Sequence, residues 1–179
     1  MRILVTGPQG SGKTTQAQIL ANKLGILLVD AGEMLRKLAE QKSLEGVEVK
    51  DELNKGELVE DEIVAGLVKE EVGKSAYQKG YVMDGYPRTM DSLKLFDPCF
   101  DQVFYLDVSD EEVEKRLLAR GRSDDTPTLI RERLMLYHQN TQAVLDYYQN
   151  LGKLVKIDAR GGIEQIAQEI DRKLVTSNE

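Results

Sequence analysis

The chain has no tryptophan, a single cysteine (Cys99) and a single histidine (His138) among 179 residues. One thiol can close no intrachain disulfide and build no cysteine-rich zinc site. No apolar run approaches the roughly 20 residues that span a bilayer. Met1-Arg2 lead straight into a short β-branched run, without the pattern of a cleavable leader. Proline is scarce, and no Pro/Gly-rich linker, repeat or low-complexity tract divides the chain. Basic charge is also in deficit, with 24 Lys and Arg against 31 Asp and Glu and a net charge of −7. A binder of duplex nucleic acid carries the opposite balance. These absences lead us to expect one compact, monomeric, cytoplasmic domain with no zinc, no nucleic-acid partner and no membrane partner.

What is present is a regular alternation. RILV (2–5), GILLVD (25–30), GYVMD (80–84), QVFYLDV (102–108) and KLVKIDA (153–159) read as buried strands. Helical spacing of apolar residues marks 15–24, 33–41, 61–72, 110–119 and 128–149. Ser109 followed by three acids has the form of a helix N-cap. Strands alternating with helices predict a three-layer α/β fold around a parallel sheet of about five strands. The stretch from about 30 to 60 is polar and helical with no strand of its own, so it is expected to be an insertion on the sheet.

The segment GPQGSGKTTQ, residues 7–16, satisfies the phosphate-loop pattern Gly-x4-Gly-Lys-Thr between a strand and a helix. Glycine lets backbone N–H groups turn inward around a phosphate, and a Cβ at Gly10 or Gly12 is expected to obstruct that wrap. The helix opening near Lys13 adds its positive end. Lys13 supplies a mobile charge, and the Thr14 hydroxyl is placed to meet Mg2+ directly or through water. The loop therefore reads as an ATP or GTP site. It leaves open where the phosphate goes.

Two further stretches bear on that. AGEMLRKL (31–38) follows the second strand and DGYPRT (84–89) the third, so a parallel sheet brings both to its carboxyl edge beside the loop. Asp84, at a strand end, can hold a metal's water shell. Arg36 and Arg88, from separate elements, can converge on one more phosphate. Further along, Arg116 and Arg120 share a helix face, Arg122 lies just beyond, and Arg133 follows on the next helix. Guanidinium groups bind phosphate oxygens in pairs and stay charged. Gathered in so acidic a chain, they predict a local positive funnel.

These motifs, with KGELVEDEIV (55–64) and the run GRSDD to IRERL (121–134), resemble in order and spacing the nucleoside monophosphate kinases, most closely the adenylate kinase family. The resemblance covers essentially the whole chain. It implies a P-loop NTPase fold with a CORE (1–29, 60–119 and 127–179), a helical NMP-binding insertion (30–59) and a short LID (120–126). It implies MgATP as donor and a nucleoside monophosphate as acceptor. Gly10, Ser11, Gly12, Lys13, Thr14, Thr15, Arg116, Arg120 and Gly161 would hold ATP, with Arg116 stacked on its base. Ala31, Arg36, Glu57, Leu58, Val59, Gly85, Tyr86, Pro87, Arg88, Ser92, Arg122 and Arg133 would hold the acceptor, Pro87 in the cis form. Lys13, Arg88, Arg120, Arg122 and Arg133 would be catalytic, Asp124 and Asp125 would orient the lid arginines, and Thr14 and Asp84 would serve Mg2+.

The chain departs from that pattern in four places. Thr14 stands where the family has glycine, and Ala31 where adenylate kinases have threonine. Ser92 replaces a glutamine that reads the adenine of AMP, and Glu33 replaces an aspartate, its longer arm expected to reach the metal's water shell. AMP is the expected acceptor, with UMP or CMP as the alternative. A kinase with a hydroxyl acceptor, or a slow ATPase acting as a switch, would have no use for Arg36 and Arg88. His138 is expected at the surface, Cys99 as a small packing residue, and the tyrosines of LDYYQ (145–149) in the core or at its flank.

Overall fold

The computed structural model describes residues 1–121 and 125–174. Each apolar run forms a strand: β1 (Arg2–Thr6), β2 (Leu27–Asp30), β3 (Tyr81–Asp84), β4 (Gln102–Asp107) and β5 (Leu154–Asp158). They pair in parallel in the order β2-β3-β1-β4-β5. Parallel neighbours need crossover connections, which the helices supply. These are α1 (Lys13–Leu24), α2 (Ala31–Ala39), α3 (Leu44–Lys55), α4 (Asp61–Val72), α5 (Met90–Leu95), α6 (Asp110–Arg120), α7 (Pro127–Asn150) and α8 (Ile163–Lys173). Among the described residues none is long and apolar enough to cross a membrane.

Successive strand residues serve opposite faces of the sheet. Ile3, Val5, Val82, Phe104 and Leu106 pack with Leu20 of α1, Leu117 of α6 and Ile170 of α8. Leu4, Met83 and Val103 pack on the other side with Val68 of α4, Leu93 of α5 and Tyr148 of α7. Both faces are covered, which is why the strands read as unbroken apolar runs. The long α7 serves both layers, with Ile130 and Leu134 in the first cluster and Val144 and Tyr148 in the second. A third, smaller cluster joins Leu35 and Leu38 of α2, Val49 of α3 and Val59. The polar stretch after β2 is thus helical, as expected, with a small core of its own.

Local signals also have their counterparts. Ser109 Oγ accepts the Glu112 N–H at 3.3 Å, capping α6. The Tyr86–Pro87 peptide is cis. Tyr148 is buried, while His138 lies at the surface with Nε2 2.9 Å from Asp110 Oδ1. Cys99 departs from the expected packing role: it is exposed, at a φ of 54°.

Candidate active site

The loop between β1 and α1 is shaped by two glycines with different constraints. Gly10 has φ 85°, and a Cβ there would come 2.8 Å from Leu117 Cγ on α6. Gly12 has φ 90°, but a Cβ there would meet no atom of the described residues beyond its chain neighbours within 4 Å. The expected obstruction therefore exists at Gly10, from a core leucine. At Gly12 the left-handed backbone itself selects glycine. Lys13 Nζ folds back toward the Pro8 carbonyl at 3.4 Å. Thr14 Oγ1 donates to Asp84 Oδ2, whereas Asp84 Oδ1 is buried with no partner among the described residues, as is Ser11 Oγ. A buried carboxylate oxygen without a partner is costly unless something binds it. An adjacent hydroxyl and carboxylate are the hard oxygen donors that suit Mg2+.

Strand register brings a second carboxylate alongside, since Asp30 pairs across from Asp84 at the ends of β2 and β3. Asp30 Oδ1 accepts the Glu33 N–H at 2.9 Å as the N-cap of α2, and Oδ2 lies 3.8 Å from Arg36 Nη2. The sequence reading missed Asp30; an aspartate just before a helical period is the cap signal that could have found it. Glu33 does not take the role expected for it. Its carboxylate is half exposed and paired with Lys37 Nζ at 2.6 Å, an i,i+4 contact on the outer face of α2.

The cations of separate elements meet in this place. Burial holds the Lys13 ammonium below its ordinary value; Asp84 and Asp30 pull it up, and Arg88 and Arg120 push it further down. Crowding holds the Arg88 guanidinium below its usual value as well, opposed by Asp84 and Asp30 and reinforced by Arg36. Asp84 is raised by burial, against the pull of Lys13 and Thr14. Lys13, Arg36, Arg88 and Arg120 thus share one field with two carboxylates.

Arg88 rides on a loop fastened from several sides. Its Nε donates to the Gly85 carbonyl at 3.0 Å, and its own carbonyl accepts the Thr141 hydroxyl of α7 at 3.2 Å. Tyr86 is buried, and its hydroxyl lies 2.6 Å from the carbonyls of both Ser92 and Phe96. Thr89 caps α5, accepting the Ser92 N–H at 2.9 Å, and donates its hydroxyl proton to Asp61. Ser92 is 1% exposed, with Oγ donating to the Thr89 carbonyl at 2.9 Å. Its hydroxyl completes a capping box and is not offered to a base. Ala31 packs beneath Gly85, where an added Cβ would lie 3.6 Å from the alanine Cβ. Leu58 and Val59 lie between α3 and α4, Val59 buried and Glu57 exposed.

On the other side of the cradle, Arg120 forms a two-pronged pair with Asp125, Nε to Oδ2 at 2.9 Å and Nη2 to Oδ1 at 2.8 Å. Arg116 Nε binds Glu112 Oε1 at 2.8 Å, and Nη2 donates to the Ala159 carbonyl at 2.9 Å, beside Gly161. Arg133 reaches the end of α3, where a Cβ on Gly56 would lie 3.1 Å from its Nε. Arg122, Ser123 and Asp124 lie outside the described residues. A hollow of about 630 Å3 beyond β5 is lined by Lys156, Arg160 and Lys173. Each of these is paired, with Asp107, Asp158 and Glu169 respectively, leaving no free charge for a phosphate.

The family model described as adenylate kinase matches residues 5–153. The chain belongs to the adenylate kinase family. An adenylate kinase of Prochlorococcus marinus is 39% identical over 179 residues, covering 96% of this chain and 97% of its own. One from Renibacterium salmoninarum is 37% identical, covering 94% and 93%, and adenylate kinase 1 of Synechocystis is 37% identical, covering 95% of each. The adenylate kinase match ends before Gly161, but the relatives' coverage of nearly the whole chain carries the likeness toward the C-terminal segment.

Proposed function

We propose that this chain is a nucleoside monophosphate kinase that transfers the γ-phosphoryl group of ATP to AMP, reversibly, giving two ADP. The observation that carries the reading is geometric: Thr14 of the glycine cradle bonds Asp84, Asp84 pairs in register with Asp30, Asp30 faces Arg36, and Arg88 is fastened to Gly85 directly after Asp84. An ATPase switch needs one triphosphate site, and a hydroxyl acceptor would leave Arg36 and Arg88 with no phosphate to bind. Family membership favours AMP over UMP or CMP.

In this reading the backbone of Gly10, Ser11, Gly12 and Thr15, with Lys13, holds the donor phosphates, and Arg116 and Gly161 flank its base. Arg36 and Arg88 hold the acceptor phosphate. Ala31, Glu57, Leu58, Val59, Gly85, Tyr86 and Pro87 line the nucleoside, the last three through backbone or shape, and Ser92 only by supporting them. Lys13, Arg120, Arg122 and Arg133 spread over the group in transit. Thr14 and Asp84 would hold Mg2+, directly or through its water shell, and the ion when bound would neutralise charge on the donor's phosphates. The AMP phosphate is already an anionic nucleophile. One of its oxygens forms the new P–O bond as the bond from the γ-phosphorus to the bridging oxygen breaks, and the departing ADP keeps that electron pair. No proton has to be removed, so the residues align and stabilise rather than act as bases.

The division into CORE, acceptor insertion (30–59) and LID (120–126) belongs to the same proposal, supported for the insertion by its separate apolar cluster. Closure of both over the nucleotides would exclude the water that hydrolyses ATP. We read the enzyme as a cytoplasmic monomer acting on free nucleotides rather than nucleic acid, a choice its net charge of −7 supports. A coupled assay for ADP formation from MgATP with AMP, UMP, CMP, GMP or dTMP tests the whole. AMP should give the highest kcat/KM. Phosphate release with no acceptor, or preference for a pyrimidine monophosphate, overturns the reading.

A further inference from the structure

Asp61 is the first residue of α4, two positions after Val59, and Thr89 directly follows Arg88. The Thr89 hydroxyl lies 2.8 Å from Oδ1 and 2.8 Å from Oδ2 of Asp61. The same hydroxyl accepts the Ser92 N–H at 2.9 Å and lies 3.0 Å from Ser92 Oγ, and its single proton goes to the nearer and charged acceptor, the Asp61 carboxylate. A hydrogen bond to a charged acceptor in a partly buried place is among the stronger ones a side chain can make. It joins two stretches 28 residues apart. The plain alternative is an acid at a helix N-terminus, favoured by the helix dipole. Glu62 fills that role beside it, and dipole stabilisation needs no bond to Thr89.

We infer that Asp61 is a positioning residue for the acceptor nucleotide, holding the nucleoside-lining segment 57–59 at a fixed distance from the phosphate-binding Arg88 through Thr89. The inference rests on the assignment of those residues to AMP. A mononucleotide's base and phosphate can separate only within a bounded range, so a site that grips both ends gains from fixing its own span in advance. Asp61 and Thr89 tie the two ends from the α4 side. Thr141, whose hydroxyl binds the Arg88 carbonyl at 3.2 Å, ties the phosphate end to α7. The donor site has no part in this linkage, so ATP affinity is insulated from it.

The test is steady-state kinetics of the full chain, with AMP and ATP varied in turn, on wild type, D61A, D61N, T89V, T89S and the D61A/T89V pair, with thermal midpoints recorded for each. D61A and T89V should each raise the KM for AMP roughly tenfold or more, while the KM for ATP moves less than about twofold. T89S, which keeps the hydroxyl, should recover most of the AMP affinity, and D61N should fall between wild type and D61A. The double variant should be no worse than the poorer single one, because both remove the same bond. A merely structural role would lower the midpoint and move both KM values together. That result, or additive losses in the double variant, overturns the inference. If wild type forms no ADP from AMP, the assigned function fails instead, so the two failures are distinguishable.

Discussion

Tyr86 shows how a single side chain holds the loop after β3 in shape. It is 1% exposed, and its one hydroxyl serves two buried carbonyls, of Ser92 and Phe96. Burial pushes its pKa well above the usual phenol value, aided by Asp61 and Asp97, so the hydroxyl is a weaker acid than a free phenol. A raised value means that folding favours the neutral phenol. The stability this group contributes is complete below its unfolded value of about 10 and is lost as pH rises toward the folded one. Tyr86→Phe should therefore cost about 1–2 kcal/mol at neutral pH by leaving those carbonyls unpaired. The deficit should shrink above about pH 10. Urea unfolding at neutral and alkaline pH checks this; a deficit that grows with pH would contradict it. At this scale Lys13, Arg36, Arg88 and Arg120 stand out in the sequence as candidates, because a charged side chain inside a recurring motif declares its chemistry by residue type. Asp30, Asp61 and Thr141 do not, because their roles depend on partners that only the folded chain brings near.

At the scale of elements, the cradle is held by what lies behind it as much as by its own sequence. Gly10 abuts Leu117 of α6, whereas Gly12 has none of the described residues in its path. Gly12→Ala should cost only the left-handed backbone strain, about 1–2 kcal/mol. Gly10→Ala adds a clash with a buried leucine, for a further 1–3 kcal/mol or about that. In a Leu117→Ala background the added cost at Gly10 should largely disappear, leaving the two glycines alike. Denaturant unfolding of the four variants decides it, and strictly additive losses at 10 and 117 would show that the contact is not the reason for the glycine. The strands were legible because burial on both faces writes an apolar run. So were the helices with a long amphipathic period. α5 was not, since six residues carry less than two turns of pattern. α8 rests on Ile166 and Ile170, the two residues it buries, while its first residue Ile163 is exposed. The polar stretch 30–60 was legible as helical, but its division at α3 was not, because α3 buries little beyond Gly46 and Val49.

Across the whole molecule the apolar residues fall into two clusters on the faces of the sheet and one that belongs to α2, α3 and the start of α4. The sheet clusters are large and share β1, β3 and β4, so they should unfold together. The third is built from few side chains, with Val49 at its centre and fully buried. A small cluster attached to a large core is where local opening is expected to be cheapest, and where a ligand-gripping segment can move without melting the rest. Val49→Ala should lower the stability of that unit by about 2 kcal/mol. Amide exchange over 44–59 should then accelerate roughly 30-fold, since each 1.4 kcal/mol is a factor of ten. Exchange in β1, β3 and β4 should hardly change, and, if the proposed acceptor site is right, AMP should restore protection to 44–59 by binding the folded segment and not the open one. If Val49→Ala speeds exchange equally in the strands, the insertion and the sheet form one cooperative unit, and closure of the acceptor segment would have to proceed without local opening.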